Sequence, residues 1–185
     1  MTITAAEVQQ VWQEADCLCT EEQMEAVITK VAANITEELA DKNPVVLCVM
    51  TGGLIFASKL AMQLAFPLQI DYIHVSRYRG EVVGGDIEWM VTPKIELKDR
   101  CVLVVDDILD EGQTLHEIIQ SCERQGADSV YTAVLVDKQH DRKAIEGLKA
   151  SFTGMEIEDR YIFGYGMDYK GYLRNAAGIY AVKGL

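Results

Sequence analysis

Two kinds of apolar pattern alternate along most of this chain. Short apolar runs bounded by Gly, Pro, Asn or charged residues predict buried strands at residues 45–50, 69–75, 102–105 and 130–136. Apolar residues at helical spacing predict helices over residues 5–15, 20–40, 54–64 and 114–125, the second opened by a capping box between Thr20 and Gln23. Strands that alternate with helices predict an α/β fold with a mainly parallel central sheet, whose ligands gather at the carboxyl ends of the strands.

Two segments depart from this alternation. Between residues 76 and 92 the pattern loosens around Gly80, Gly84 and Gly85, which predicts a long hairpin-like excursion. From residue 161 onward the chain is rich in Gly and Tyr, and this segment is predicted to form a cap beside the ligand edge of the sheet. The length of 185 residues fits one domain.

Composition narrows the class of protein. The formal net charge of −12 argues against non-specific nucleic-acid binding, because phosphates would be repelled. No apolar run suits a membrane span, and Met1 to Thr4 lack the features of a signal peptide. Five cysteines without a Cys-x-x-Cys pair predict neither a disulfide framework nor a zinc site, so a reducing cytoplasm is expected. The three histidines, His74, His116 and His140, have no nucleophile or metal partner at a telling spacing.

The segment from Val102 to Thr114 is the most informative for function. Its apolar run ends in Asp106 and Asp107, and Asp110, Gly112 and Thr114 follow before a helical pattern begins. A strand, a polar loop and a helix in this order present backbone N–H groups to a phosphate. A simple helix-capping loop is the plainer alternative.

A second alternative is a response-regulator receiver domain, which also opens with Val-Leu-Val-Val-Asp-Asp and is phosphorylated on an aspartate such as Asp107. A receiver would continue for a whole α/β domain, whereas only 78 residues follow Asp107 here. Gly112 and Thr114 would also have no role in a receiver.

The loop with the form acid-acid-x-x-Asp-x-Gly-x-Thr resembles the ribose-phosphate loop of type I phosphoribosyltransferases. The resemblance implies that Asp106 and Asp107 serve the ribose hydroxyls and Mg²⁺ of phosphoribosyl pyrophosphate. It assigns the 5-phosphate to the loop residues after Asp110, which are Glu111, Gly112, Gln113 and Thr114. Glu111 departs from the more usual Thr, so it is expected to contribute only its backbone.

Two further stretches resemble the branch that acts on 6-oxopurines. Lys138 would donate to O6 of the base, and Asp110 would take the N7 proton as the catalytic base. In the stretch from Tyr161 to Tyr169, Tyr161 would stack on the base, Ile162 would bond its edge through the backbone, and Asp168 would help hold a second Mg²⁺.

The remaining expectations rest on the same resemblance. Thr51, Gly52 and Gly53, together with Arg174, would bind pyrophosphate, and a cis peptide is expected between Met50 and Thr51. Relatives often have Lys in place of Thr51. The lid over the site would begin at Ser76, Arg77 and Tyr78, where Arg77 replaces the usual Ser.

The resemblance therefore implies a hypoxanthine-guanine phosphoribosyltransferase. It would need Mg²⁺, form IMP or GMP and pyrophosphate, and assemble as a homodimer or homotetramer. Its fold would combine a core over about residues 21–150 with a small hood from the N-terminal segment and about residues 151–185. A xanthine- or pyrimidine-preferring enzyme is the nearest alternative, and a non-catalytic regulator that binds RNA or DNA is another.

Overall fold

The computed structural model describes residues 3–77 and 87–184. The helices are α1 (Ala5–Glu14), α2 (Glu21–Leu39), α3 (Leu54–Ala61) and α4 (Gln113–Arg124). The strands are β1 (Asp16–Thr20), β2 (Val45–Met50), β3 (Gln69–Arg77), β4 (Ile87–Val91), β5 (Cys101–Leu109), β6 (Ser129–Gln139), β7 (Phe152–Glu158), β8 (Ile162–Phe163) and β9 (Gly178–Ala181). None of the helices in these ranges is long and apolar enough to cross a bilayer.

The main sheet has the strand order β4-β3-β2-β5-β6-β7. All neighbours in it are parallel except β3 and β4, which form an antiparallel pair. The predicted α/β fold with a mainly parallel sheet is confirmed. β2 and β5 lie side by side at its centre, so the polar loops that follow them meet at one edge.

Both faces of this sheet are covered, which explains the continuous apolar runs of its strands. On β2, Val46 and Cys48 pack in a core with α2 and α3, while Val45, Leu47 and Val49 pack in a second core with α4. The strand period of two divides these residues between the faces. Cys48 and Cys101 are buried among them and act as small apolar side chains, as predicted.

The helices follow the sequence pattern with one shortened end. Thr20 and Gln23 form the predicted capping box, with each side chain accepting a hydrogen bond from the other residue's backbone N–H. The predicted helix over residues 54–64 instead ends at Ala61. Gln63 and Leu64 donate to carbonyls three residues back, so the chain tightens into a turn there although Leu64 stays buried.

Four short strands were not predicted. β7 lies at the outer edge of the main sheet, where the apolar alternation is interrupted by Gly154. The other three form a separate antiparallel sheet with the order β1-β9-β8. These three strands have only two to five residues each, too few to show an apolar alternation. β1 also pairs with β9 from the opposite end of the chain, as Asp16 does with Ala181. The bounds expected for a core and a hood stay a prediction.

The loop between β8 and β9, residues 164–177, is named the cap loop here. Its Tyr165 ring is 2% exposed, and the Tyr165 hydroxyl donates to Glu25 Oε1 on α2 over 3.0 Å. Glu25 also forms an ion pair with Lys59 on α3. Burial and the nearby Glu25 carboxylate raise the pKa of Tyr165, which therefore remains a neutral donor. One polar cluster thus joins the cap loop to two helices of the core.

We expect Tyr165→Phe to lower the free energy of unfolding by about 0.5–1.5 kcal/mol, because it removes one hydrogen bond while keeping the buried ring. Urea denaturation of the purified variant would measure this. Tyr172 is 46% exposed, so Tyr172→Phe is the matched control and should change stability by less than about 0.5 kcal/mol. Equal effects of the two substitutions would contradict a specific link through Glu25.

Candidate active site

The acid pair lies at the end of β5, where the strand leaves the core. Asp107 is 7% exposed, and its backbone N–H donates to Asp106 Oδ1 over 2.9 Å. Burial and the adjacent Asp107 carboxyl raise the pKa of Asp106 well above its usual range, and Arg174 offsets part of this increase. Burial also raises the pKa of Asp107. Two adjacent carboxyls in this setting favour a ligand that brings positive charge.

The turn after β2, Thr51-Gly52-Gly53, packs directly against this pair. A Cβ atom on Gly52 would lie 2.2 Å from Asp107 Oδ2, so only glycine leaves room for the carboxylate. On the other side of the turn, a Cβ atom on Gly166 would lie 2.0 Å from the Gly52 carbonyl oxygen. Gly166 also has φ +109°, a conformation that favours glycine. The turn, β5 and the cap loop therefore meet with almost no space between their backbones.

The peptide bond between Met50 and Thr51 is cis, as the resemblance implied. Thr51 is exposed at the site edge. The Gly53 N–H donates to the Val49 carbonyl over 2.9 Å, so this N–H group is used within the turn.

The loop after β5, residues 110–114, is named the phosphate loop here. Gly112 has φ +88° and is the residue from which α4 begins, so the N–H groups of the first helical turn point toward this loop. The first turn of α4 carries no acidic side chain, which suits an anion at this end of the helix. The Glu111 carbonyl accepts a hydrogen bond from the Ala144 N–H over 2.8 Å. The predicted phosphate residues Glu111, Gly112, Gln113 and Thr114 thus form one strand-to-helix turn.

Arg174 and Asp168 meet in the cap loop beside the acid pair. Arg174 Nη1 donates to the Gly166 carbonyl over 2.5 Å, and Arg174 Nη2 lies 2.7 Å from Asp168 Oδ1. Asp168 Oδ2 accepts the Gly171 N–H over 2.7 Å. The guanidinium thereby links two parts of the cap loop, and its charge offsets part of the rise in the pKa of both Asp106 and Asp107.

A cavity of about 180 Å³ joins the residues assigned to the base with those assigned to the sugar. It is lined by Asp107, Ile108, Asp110, Lys138, Tyr161, Ile162, Met167 and Asp168. Tyr161 is 40% exposed at the cavity and is held edge-on by Tyr169, with ring centroids 5.6 Å apart. Ile162 is buried behind it on β8. Residues predicted from three distant sequence segments are therefore neighbours around one space.

A charged cluster surrounds Lys138 at the carboxyl end of β6. Lys138 Nζ lies 3.6 Å from Asp110 Oδ2 and 3.2 Å from Asp159 Oδ1. His140 Nε2 lies 2.6 Å from Asp110 Oδ1. The prediction for the histidines concerned only nucleophile or metal partners, so this contact between His140 and a carboxylate was not predicted. Because alternate positions share a side of a strand, its spacing of two from Lys138 was a usable signal.

The lid residues can be followed only in part. Ser76 is exposed and pairs with Glu88 across the β3–β4 hairpin, so the hairpin form predicted for residues 76–92 holds for its two strands. Arg77 ends β3. Tyr78 lies outside the described residues, and a lid function stays a prediction.

Comparison with known proteins agrees with this geometry. The model of the phosphoribosyl transferase domain family matches residues 15–170. A hypoxanthine-guanine-xanthine phosphoribosyltransferase of Tritrichomonas foetus is 35% identical over 158 residues, covering 85% of this chain and 86% of the relative. A hypoxanthine-guanine phosphoribosyltransferase of Bacillus subtilis is 30% identical over 167 residues, covering 90% and 92%.

The fold matches solved structures as well. A hypoxanthine phosphoribosyltransferase from Staphylococcus aureus superposes with a TM-score of 0.87 at 27% identity, covering 98% of this chain and 97% of that one. The family match across β5, α4 and β6 decides against a receiver domain. On the sequence match, the fold and the site together, the chain belongs to the phosphoribosyltransferase family.

Proposed function

We propose that this protein transfers the 5-phosphoribosyl group from phosphoribosyl pyrophosphate to hypoxanthine or guanine, giving IMP or GMP and pyrophosphate. The observation that carries the proposal is the shared cavity, in which Asp110, Lys138 and Tyr161 adjoin the buried Asp107. Relatives named hypoxanthine-guanine phosphoribosyltransferase, which match about nine-tenths of the chain, support the same purine-salvage reaction.

The sugar phosphate would occupy the phosphate loop. The N-terminus of α4 offers N–H donors and a favourable helix dipole to the 5-phosphate. Asp106 and Asp107 would bind the ribose, and Thr51, Gly52 and Arg174 would face the pyrophosphate. Because both ends of the sugar phosphate would be bound by residues on the central strands or packed against them, the reacting carbon would be fixed relative to the base.

The residues present fit a bound Mg²⁺. The described part of the chain contains no group of three or more His, Cys, Asp or Glu side chains suited to a metal. Mg²⁺ in proteins, however, often uses one or two carboxylates and completes its shell with substrate phosphates and water. Asp106 and Asp107 would hold it, and Asp168, whose oxygens already bond Arg174 and Gly171, would share in a second ion. When bound, Mg²⁺ supplies positive charge to the departing pyrophosphate.

The base would lie between Tyr161 and the Lys138 cluster. Lys138 Nζ is a donor that can reach a 6-oxo group while Asp159 compensates its charge. Such a donor discriminates against adenine, whose 6-amino group is itself a donor and cannot accept a hydrogen bond from the ammonium. Asp110 would accept the N7 proton as N9 bonds the sugar. This assignment uses Asp110 Oδ2, because Oδ1 already accepts a short contact from His140.

We also propose a homodimer or homotetramer in a reducing cytoplasm. Ile70 and Tyr72 on β3, the strand next to the edge strand β4, are 60% and 42% exposed, which gives this side of the sheet apolar surface for a second copy. The cysteines are free rather than paired, as expected in a reducing compartment.

The first test supplies Mg²⁺, phosphoribosyl pyrophosphate and, in turn, hypoxanthine, guanine, xanthine, adenine or uracil. Chromatography should detect IMP and GMP, and Asp110→Asn should lower their rate of formation by about 10²–10⁴-fold because a general base is lost. Turnover of xanthine or uracil alone would contradict the assigned base preference. Absence of any nucleotide would overturn the proposed function and favour a regulator.

Gly52→Ala tests the packing of the turn on Asp107. A methyl group 2.2 Å from Asp107 Oδ2 must displace the carboxylate, so we expect kcat/KM to fall at least about 100-fold. Gly147→Ala is the control, because no atom lies within 4 Å of its Cβ position. It should lower stability through its positive φ yet keep turnover. Steady-state kinetics that are alike for the two variants would argue against this role of Gly52.

Asp106→Asn tests the energetic cost of the buried acid pair. Burial and the Asp107 carboxyl raise the pKa of Asp106, so its ionised form costs stability. Without metal, the free energy of unfolding of the variant should therefore be about 0.5–2 kcal/mol higher than that of the wild type. The variant should also lose activity. As the pH is lowered from neutral toward the usual pKa range of an Asp carboxyl, the difference should narrow, because the raised pKa of Asp106 lets the folded wild type take up a proton before the unfolded chain does. Urea titrations in EDTA would measure both effects.

The control for this experiment is Asp41→Asn, at an exposed position after α2. It should leave the stability within about 0.5 kcal/mol of the wild type. A destabilised Asp106→Asn variant would show that the ionised pair is not a cost to the fold.

A further inference from the structure

His140 is the one residue of the Lys138 cluster to which neither the resemblance nor the proposed function gives a role. Its side chain is 4% exposed although the residue follows the end of β6 directly. Its Nε2 atom lies 2.6 Å from Asp110 Oδ1, within the range of a short hydrogen bond to a charged acceptor. This bond ends on the residue proposed to be the catalytic base.

The second ring nitrogen determines which tautomer is present. The backbone N–H of Arg142 donates to His140 Nδ1 over 3.0 Å. A backbone N–H has no acceptor capacity, so Nδ1 must be unprotonated and accept. In the neutral ring Nε2 then carries the proton and donates it to Asp110 Oδ1. Asp110 is consequently held as an acceptor on one oxygen.

Other residues of the β6–β7 connection, residues 140–151, hold the same loop. Lys143 Nζ donates to the Leu109 carbonyl over 2.9 Å and to Asp137 Oδ1 over 2.7 Å. The Ala144 N–H bonds the Glu111 carbonyl, and a Cβ atom on Gly112 would lie 2.7 Å from Leu148 Cδ2. The backbone on both sides of Asp110 is therefore fixed by the segment that carries His140.

We propose that His140 is a positioning residue for Asp110. Its Nε2–H engages Oδ1, so that Oδ2, the oxygen nearer Lys138, faces the purine. Besides Asp110, the charged groups facing this contact are Lys138, Asp159 and Arg142, whose Nη2 lies 3.9 Å from Asp110 Oδ1. Arg142 Nη1 is bound by Asp159 at 2.8 Å, which leaves His140 as the short donor to Oδ1. This inference rests on the proposed function.

Kinetics of two variants test the role. His140→Phe keeps a ring of similar shape without the donor, and it should lower kcat about 10–100-fold, the factor of one hydrogen bond to a charged group. The KM for phosphoribosyl pyrophosphate should stay within about twofold, because the sugar phosphate is bound elsewhere. His140→Gln places an amide N–H near the Nε2 position and should recover most of kcat. The matched control is His116→Phe on α4, since His116 bonds only Gln120 among its described side-chain contacts, and it should keep kcat.

A double-mutant cycle separates positioning from general support of the fold. In an Asp110→Asn background, His140→Phe should have almost no further effect on kcat, because both changes act on one group. Independent, multiplied losses would overturn the proposal. Failure of His140→Gln to recover more activity than His140→Phe would also overturn it.

The tautomer of His140 can be measured by NMR without turnover, so this test does not depend on the proposed reaction. Two-bond ¹H–¹⁵N NMR spectra of the wild type should show His140 as the Nε2–H tautomer, and the His140→Phe spectrum assigns the signals. The Nδ1–H tautomer would contradict the contact with Asp110. If the wild type forms no nucleotide with any purine or with uracil, the proposed function fails. Asp110 then has no catalytic role for His140 to support, whichever tautomer is observed.

Discussion

The site depends on the lack of any side chain at Gly52. The Asp107 carboxylate occupies the space where a Cβ atom of residue 52 would be. The Gly166 backbone lies against the Gly52 carbonyl oxygen. Dense packing of this kind transmits displacement, because interiors have little free volume to absorb it. The end of β5, the turn after β2 and the cap loop are therefore held in one arrangement by close contacts on both sides of Gly52.

The cap loop also carries the positive charge that lies beside Asp106 and Asp107. The chain as a whole is strongly acidic, yet Arg174 is held at the acid pair by the Gly166 carbonyl and by Asp168. The guanidinium offsets only part of the charge, since the pKa of Asp106 remains raised. Two adjacent buried carboxyls are unfavourable for a fold by themselves and make sense when a cationic ligand completes the site.

Much of this arrangement could be predicted from local sequence. Continuous apolar runs located β2, β5 and β6, and the polar residues after them identified the edge at which ligands gather. The capping box at Thr20 located the start of α2 because its chemistry involves only four consecutive residues. Long periodic segments, and motifs that lie within one loop, can be predicted because all the residues that define them are close together in the sequence.

What could not be predicted depends on contacts between distant segments. β1 and β9 pair although they come from opposite ends of the chain, and no short run reveals such a partner. The link between Tyr165, Glu25 and Lys59 joins three elements in the same way. The contact of His140 was missed for a related reason. Its spacing from Lys138 indicated the same side of the strand, but its partner Asp110 follows a different strand and is brought near only by the pairing of β5 with β6.

The β6–β7 connection has a consequence for redesign and divergence within this scaffold. It bonds the phosphate loop at the carbonyls of Leu109 and Glu111, while Lys138 just before it belongs to the cavity proposed for the base. Insertions or deletions in this connection would therefore disturb both halves of the site together. If the cavity binds the base as proposed, changes in base preference are better made at single side chains that line it, such as Lys138 and Tyr161, with the length of residues 140–151 kept constant.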